Sequence, residues 1–198
     1  MKKNLNAKLS RGTMRTLDAF SGAMIDLLRT KPLTSISINE LCEHSSYPRA
    51  TFYNYFDDRD DLLVYCWTAL SGESRIGDLE EVDPDRRVDL ALDMMADMLE
   101  AKAALLKEIL KHNPANGPLF ASMRSFITER SRDLMRTCVD RDRHSLPAEL
   151  VADHYANTLM LVLDWSYLRG HTLTRGELRS YAHALLENGG ETAPAPHA

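Results

Sequence analysis

Apolar positions recur at helical spacing along most of the chain. Leu17, Phe20, Met24, Leu27 and Leu28 form one stripe and predict a first amphipathic helix over residues 13–29. Ile38, Leu41 and Cys42 mark a short second helix. A brief aromatic segment makes a third, and Leu62, Leu63, Cys66, Trp67 and Leu70 make a fourth. Val88, Leu92, Met95, Leu99, Leu106, Ile109 and Leu110 predict one long helix after Pro84. Phe120, Met123, Phe126, Ile127, Leu134 and Cys138 predict another, and two more follow at about 147–169 and 175–188. No segment alternates apolar and polar residues as a half-buried strand does, and no internal repeat is visible.

Punctuation agrees with this division. The eight prolines (Pro32, Pro48, Pro84, Pro114, Pro118, Pro147, Pro194 and Pro196) fall between the stripes or in first turns, where a missing N–H costs nothing. Ser37-Ile38-Asn39-Glu40 and Thr174-Arg175-Gly176-Glu177 are capping-box patterns. Asp83 stands where an N-cap stands before Pro84. Gly170 and Gly189 sit where helices end on a left-handed residue. The tail 191–198, ETAPAPHA, is expected to be disordered. The chain is predicted to be all-α, with about nine helices.

Composition narrows the class. The 198 residues are 44% hydrophobic and 27% charged, which is ordinary for a globular chain and excludes collagen-like, disulfide-dense and disordered classes. No apolar run approaches the ~18 residues of a membrane span. Lys2 and Lys3 lack the apolar stretch of a secretory signal. Cys42, Cys66 and Cys138 are odd in number and scattered, which fits a reducing cytoplasm rather than a disulfide framework.

The net charge of −5 is unevenly placed. Residues 1–56 carry +4, from Lys2, Lys3, Lys8, Arg11, Arg15, Arg29, Lys31 and Arg49 against Asp18, Asp26, Glu40 and Glu43, and the remainder carries −9. A basic head on an acidic body points to two jobs in one chain.

Residues 37–59, SINELCEHSSYPRATFYNYFDDR, hold the most information. A helix capped by Ser37 runs to about His44, Ser45-Ser46-Tyr47 breaks it, and Pro48 starts a second short helix. Two short helices joined by a tight turn make a helix-turn-helix. Phe52 and Phe56, four apart, share an inward face. Arg49, Thr51, Tyr53, Asn54 and Tyr55 gather near the helix start, where a recognition helix presents side chains to base edges and phosphates.

This stretch resembles the DNA-binding domain of TetR/AcrR-family transcriptional regulators. Ile38 and Leu41 match that family's apolar positions, Arg49-Ala50-Thr51-Phe52-Tyr53 and Tyr55-Phe56 match its recognition segment, and Leu62 and Leu63 continue it. The match covers about residues 10–67. Ser45 stands where Ala is usual, and Arg59 stands for the usual Lys. Ser46 holds a turn position that prefers Gly, and Pro48 replaces the usual capping Ser. The resemblance implies phosphate or groove contacts from Thr34, Ser37, Arg49, Ala50, Thr51, Tyr53, Tyr55 and Arg59, with Tyr47 and Asn54 also facing DNA. It implies a DNA-binding domain over 1–57, with 1–10 as a flexible basic arm, and a helical dimerisation and effector-binding domain over 58–190. A homodimer is expected, with Leu150, Leu161, Trp165, Leu168, Leu178, Tyr181, Leu185 and Leu186 at its interface. Met94, Met95, Met98, Phe120, Met123 and Phe126, with Tyr155 and Trp165, are the candidates for a small apolar effector, methionine being suited to adaptable pockets. Plain core packing is the competing reading of those residues.

No catalytic or metal signature appears. Phosphate loop, nucleophile elbow, HExxH and CxxC patterns are absent. Seven dispersed histidines, among them His144 and His154 near aspartates, argue no site. Cys42 and Cys66 flank the third helix, and packing is the simpler reading of both. The expected function is a cytoplasmic, homodimeric repressor of a pseudo-palindromic operator, with no cofactor and no enzymatic activity, released by an apolar effector. The alternative is a DNA-binding regulator without a ligand, its C-terminal part serving as a protein-interaction or constitutive dimer platform.

Overall fold

Phe20 is the side chain around which the N-terminal helices close. The computed structural model describes residues 9–71, 82–138 and 146–187. In it α1 (Arg11–Leu28) starts on Ser10, whose hydroxyl accepts the Thr13 N–H at 3.2 Å, an N-cap that satisfies one orphan donor. The predicted stripe is its buried face. A 3-10 turn (Leu33–Ser35) leads to α2 (Ile38–Ser45), α3 (Arg49–Tyr53) and α4 (Arg59–Ser71). The Phe20 ring meets Phe52 and Phe56 edge-on, with centroids 5.4 and 6.2 Å away, and lies 5.7 Å from Tyr47. Edge-to-face pairs of this kind add about 0.5–1.5 kcal/mol each to simple burial.

The rest is α5 (Pro84–Ala101), α6 (Ala103–Leu110), α7 (Pro118–Cys138), α8 (Ala148–Leu163), a π-helical turn (Asp164–Leu168) and α9 (Arg175–Glu187). The described residues contain nine α-helices and no strand. None of their helices is long and apolar enough to cross a membrane. The long helix predicted after Pro84 is two helices. At Lys102 the N–H turns back to Leu99 O, three residues earlier, at 3.2 Å, and the ladder breaks. The helix expected over 147–169 finishes in the π turn instead of as α-helix to its end. Gly170 follows with φ +79°, the left-handed stop read from the sequence. Both capping boxes form: Glu40 and Glu177 accept the backbone N–H groups of Ser37 and Thr174 at 3.0 and 2.8 Å. Gly189, arm residues 1–8, His144 and the 191–198 tail lie outside the described residues, as do the side chains of Leu134 and Cys138.

The chain forms two compact units. The first takes in α1 to α4 together with residues 104–126, and the second the described residues from 82 to 103 and from 127 onward. The units thus divide elsewhere than at the expected boundary after residue 57. The reason lies in α4, which buries Leu62, Leu63 and Cys66 and packs on α1. Two polar anchors tie 104–126 to the same unit. The Trp67 indole N–H donates to Ser122 Oγ at 3.2 Å, and the buried Asn113 bonds the turn after α1.

In the second unit α8 packs on α9, with Ala152, Ala156 and Ala182 fully buried, small residues that let helix backbones approach. α5 and α9 are joined by charge. Arg175 reaches Asp97 at 2.5 Å and Glu100 at 2.7 Å, Arg179 pairs with Asp93, and His183 Nε2 lies 2.7 Å from Asp89. The partners sit three or four residues apart on each helix and so form an antiparallel ladder. The Tyr167 hydroxyl donates to Glu100 at 2.6 Å. That hydroxyl first, and Arg175 second, hold the Glu100 carboxyl below its ordinary value of 4.5. A carboxyl depressed in the folded state stabilises fully above its unfolded value, and the gain is lost as pH falls through the acid range. Glu100 is exposed, so screening keeps the effect small. E100Q is expected to lower stability at neutral pH by less than about 1 kcal/mol, a difference that vanishes in urea melts below the carboxylate range. A difference independent of pH would reject the ladder's electrostatic role.

Candidate nucleic-acid interface

The turn between α2 and α3 is built by one left-handed residue. Ser46 closes α2 with φ 59° and ψ 30°. A glycine adopts this conformation freely, whereas a serine held there is strained by about 1–2 kcal/mol. The strain is held in place by backbone bonds. The Ser46 N–H donates to Glu43 O at 3.2 Å and the Tyr47 N–H to Cys42 O at 3.1 Å. Pro48 then sets φ at −70° before Arg49 and supplies no side-chain cap. At the other end of α2, Ser37 Oγ accepts the Glu40 N–H at 3.3 Å. The Glu40 carboxyl is held down at about 2, first by Lys31 and then by Ser37.

On α3, Phe52 points inward while Arg49, Ala50, Tyr53 and Asn54 are exposed and Thr51 is half-buried. Arg49 Nη2 donates to the Tyr53 hydroxyl at 3.0 Å, and its guanidinium carbon lies 5.7 Å from the Tyr53 ring centroid. The Tyr53 ring stands edge-on to Phe52 at 5.5 Å. The guanidinium is therefore held on an aromatic platform that itself rests on the core. Such an arrangement lowers the ordering cost of any contact Arg49 makes. Thr34 and Ser37 are exposed ahead of and at the start of α2, and Tyr47 is half-buried against Phe20.

Two predicted contacts are placed elsewhere. Tyr55 is 5% exposed, because three residues after Phe52 it shares the inward face and lies beside Phe56. Arg59 turns into its own unit, where Nη1 donates to Leu33 O at 2.9 Å and to Ile36 O at 3.0 Å. The acids after α3 cap α4: Asp58 accepts the Asp61 N–H at 2.8 Å and Asp61 the Asp57 N–H at 3.0 Å.

The candidate effector residues divide between the units. Phe120, Met123 and Phe126 belong to the first, and Met94, Met95, Met98, Tyr155 and Trp165 to the second. Phe120 and Met123 are plain core, 0% and 4% exposed. The candidate interface residues divide by exposure. Leu150, Leu161, Trp165, Tyr181 and Leu185 are exposed, Leu186 is half-buried, and Leu168 and Leu178 are buried in their own unit, which corrects the expectation for those two. Trp165 stacks flat on His171, with centroids 3.8 Å apart and planes 4° from parallel, and Arg169 approaches the indole at 6.0 Å. Cys42 and Cys66 are free and buried, and burial pushes the Cys66 thiol up to about 12. A thiol kept protonated is a poor nucleophile, so packing accounts for it. No group of three or more metal-ligating side chains occurs among the described residues. Asp153, beside His154, pairs with Arg132. Asn113 was not legible: a lone Asn before Pro114 carries no pattern that marks it.

No family model matches the chain, and no curated relative does. Solved structures do match. A Syntrophomonas wolfei protein described as a TetR-family transcriptional regulator aligns over 93% of this chain and 99% of its own, with TM-score 0.60 and 17% identity. The fatty acid degradation regulator FadR from Bacillus halodurans aligns over 97% and 100%, with TM-score 0.56 and 14% identity. A TetR transcriptional regulator from Streptococcus agalactiae aligns over 89% and 96%, with TM-score 0.54 and 16% identity. The chain has the all-α fold of TetR-family transcriptional regulators.

Proposed function

We propose that this chain is a TetR-like, cytoplasmic transcriptional regulator that binds duplex DNA as a homodimer and acts as a repressor. The observation that carries the reading is the exposed Arg49–Tyr53 pair on a five-residue helix set by the left-handed turn at Ser46. Arginine reads guanine edges bidentately, and hydroxyls and backbone amides hold phosphates. The basic head supplies the sequence-independent attraction, and the acidic body adds none.

Dimerisation is supported by the second unit. Leu150, Leu161 and Trp165 lie on one face at helical spacing, Tyr181 and Leu185 lie four apart on α9, and all five are exposed. Two helices packed on each other, each with an exposed apolar stripe, fit burial against their copies across a two-fold axis. Two heads would then read half-sites about 34–36 Å apart in a pseudo-palindrome. The half-buried Met94, Met95 and Met98 on α5 support a small apolar effector. One similar structure is named for fatty acid degradation, so acyl compounds are the first class to try. An effector acts only by binding one arrangement of the heads better than the other.

The test is fluorescence anisotropy on DNA flanking the chain's own gene, across a salt series and with added acyl compounds. Binding in the nanomolar range, steeply weakened by salt, is expected. R49A is expected to cost about 1–3 kcal/mol and to relax specificity at one position, with the dimer intact. Retained affinity in R49A would reject its role. Y53F removes the hydroxyl and keeps the ring; a loss of about 0.5–1.5 kcal/mol is expected, and unchanged affinity would show the platform alone suffices. W165D is expected to sediment as a monomer; a stable dimer would move the interface away from α8.

A further inference from the structure

The buried side chain with the farthest-reaching bonds in the first unit is an amide outside the helix-turn-helix. Asn113 is 3% exposed and stands between α6 and α7. Its Oδ1 accepts the Leu33 N–H at 2.8 Å. Its Nδ2 shares two N–H groups among Leu28 O at 3.1 Å, Lys31 O at 3.3 Å and Ile109 O at 3.3 Å. The donor at Leu33 and the carbonyls opposite fix which way the amide lies. Three of the four partners belong to the segment that joins α1 to α2, about 80 residues away in sequence.

That segment buries Leu33 and Ile36 and pairs Lys31 with Glu40 of α2. Its internal bonds are short-range, with Ser35 N–H to Pro32 O at 2.9 Å and Ile36 N–H to Leu33 O at 3.0 Å. Leu33 is also held from two sides by distant side chains, its N–H by Asn113 and its carbonyl by Arg59 at 2.9 Å. The next residue, Thr34, is exposed just ahead of α2. A carbon side chain at 113 could fill the same space, but it could not choose a register for three backbone groups.

We propose that Asn113 is a positioning residue for DNA binding: it pins the Leu28–Leu33 turn so that the Thr34 hydroxyl meets a backbone phosphate while α3 sits in the groove. The inference rests on the DNA-binding reading above. Arg59 serves the same turn from the other side, which accounts for a cation placed near the interface yet turned away from it.

The experiment is a double-mutant cycle on the full-length dimer with N113A, T34A and the pair, read by anisotropy against operator and scrambled duplexes across a salt series. N113A is expected to weaken operator and scrambled binding alike, about tenfold, with the salt slope unchanged because the lost contact is a neutral hydroxyl, leaving discrimination against scrambled DNA unchanged. T34A is expected to weaken both duplexes equally at the same salt slope, and the pair to bind no more weakly than N113A alone, because both changes remove one contact. Additive losses, or a loss in N113A confined to operator DNA, would overturn the proposal. N113D, which keeps the size and the acceptor for Leu33, is carried through the same cycle. If neither Asn113 variant melts cooperatively as a dimer, Asn113 is structural only and the proposal falls. Wild-type protein that fails to bind any flanking DNA would instead overturn the DNA-binding reading itself.

Discussion

Helix α3 cannot stand alone, and the rest of the head follows from that. Five residues make little more than one turn, and isolated helices of that length do not persist in water because nucleation costs more than one turn of bonds returns. Its orientation is therefore a tertiary property. Phe52, fully buried, locks α3 to Phe20 on α1, and Phe56 repeats the contact one turn later. Ser46 sets the angle at which the chain enters, with strain that only a well-packed neighbourhood sustains. The aromatic cluster pays for a backbone conformation that the turn's sequence does not favour.

The second unit solves a different problem by different means. α8 and α9 bury alanines together with Leu159, Leu163 and Leu178, and leave Leu150, Leu161, Tyr181 and Leu185, with Trp165 of the π turn, outside. Their outward placement makes sense where another apolar surface covers them. α5 is joined to α9 by a ladder of carboxylates and cations instead, contacts that set register while adding little net stability.

What was legible in the sequence followed period and punctuation. The stripe on α1, the two capping boxes and the stop at Gly170 were all visible, because each depends on residues a few positions apart. What was not legible depended on distant neighbours. The break at Lys102 interrupts an apolar pattern that continues on both sides, so periodicity alone merges α5 and α6. Leu168 and Leu178 have the same chemistry as Leu161 and Leu185, and only packing decides which pair is buried. Tyr55 is polar enough to be read as outward, yet its distance of three residues from Phe52 turns it in. Asn113 gives no local signal, since its partners are backbone groups from residues 28 to 33.

Arg49 and Arg59 show the same limit within one motif. Both are arginines flanking a short aromatic helix, and both were read as facing a phosphate backbone. Arg59 starts a helix beside the end of a 3-10 turn, where the Ile36 carbonyl is offered to it and the Leu33 carbonyl has a second lone pair beyond the one the Ile36 N–H takes. A guanidinium within reach of two such acceptors satisfies them and is itself consumed. Arg49 follows a proline at the exposed end of α3 and, among the described residues, donates to Tyr53, a partner that engages one of its five N–H groups. The difference between a structural cation and a candidate reader thus lies in which backbone groups each neighbourhood leaves unsatisfied, a quantity fixed by the fold and absent from the motif.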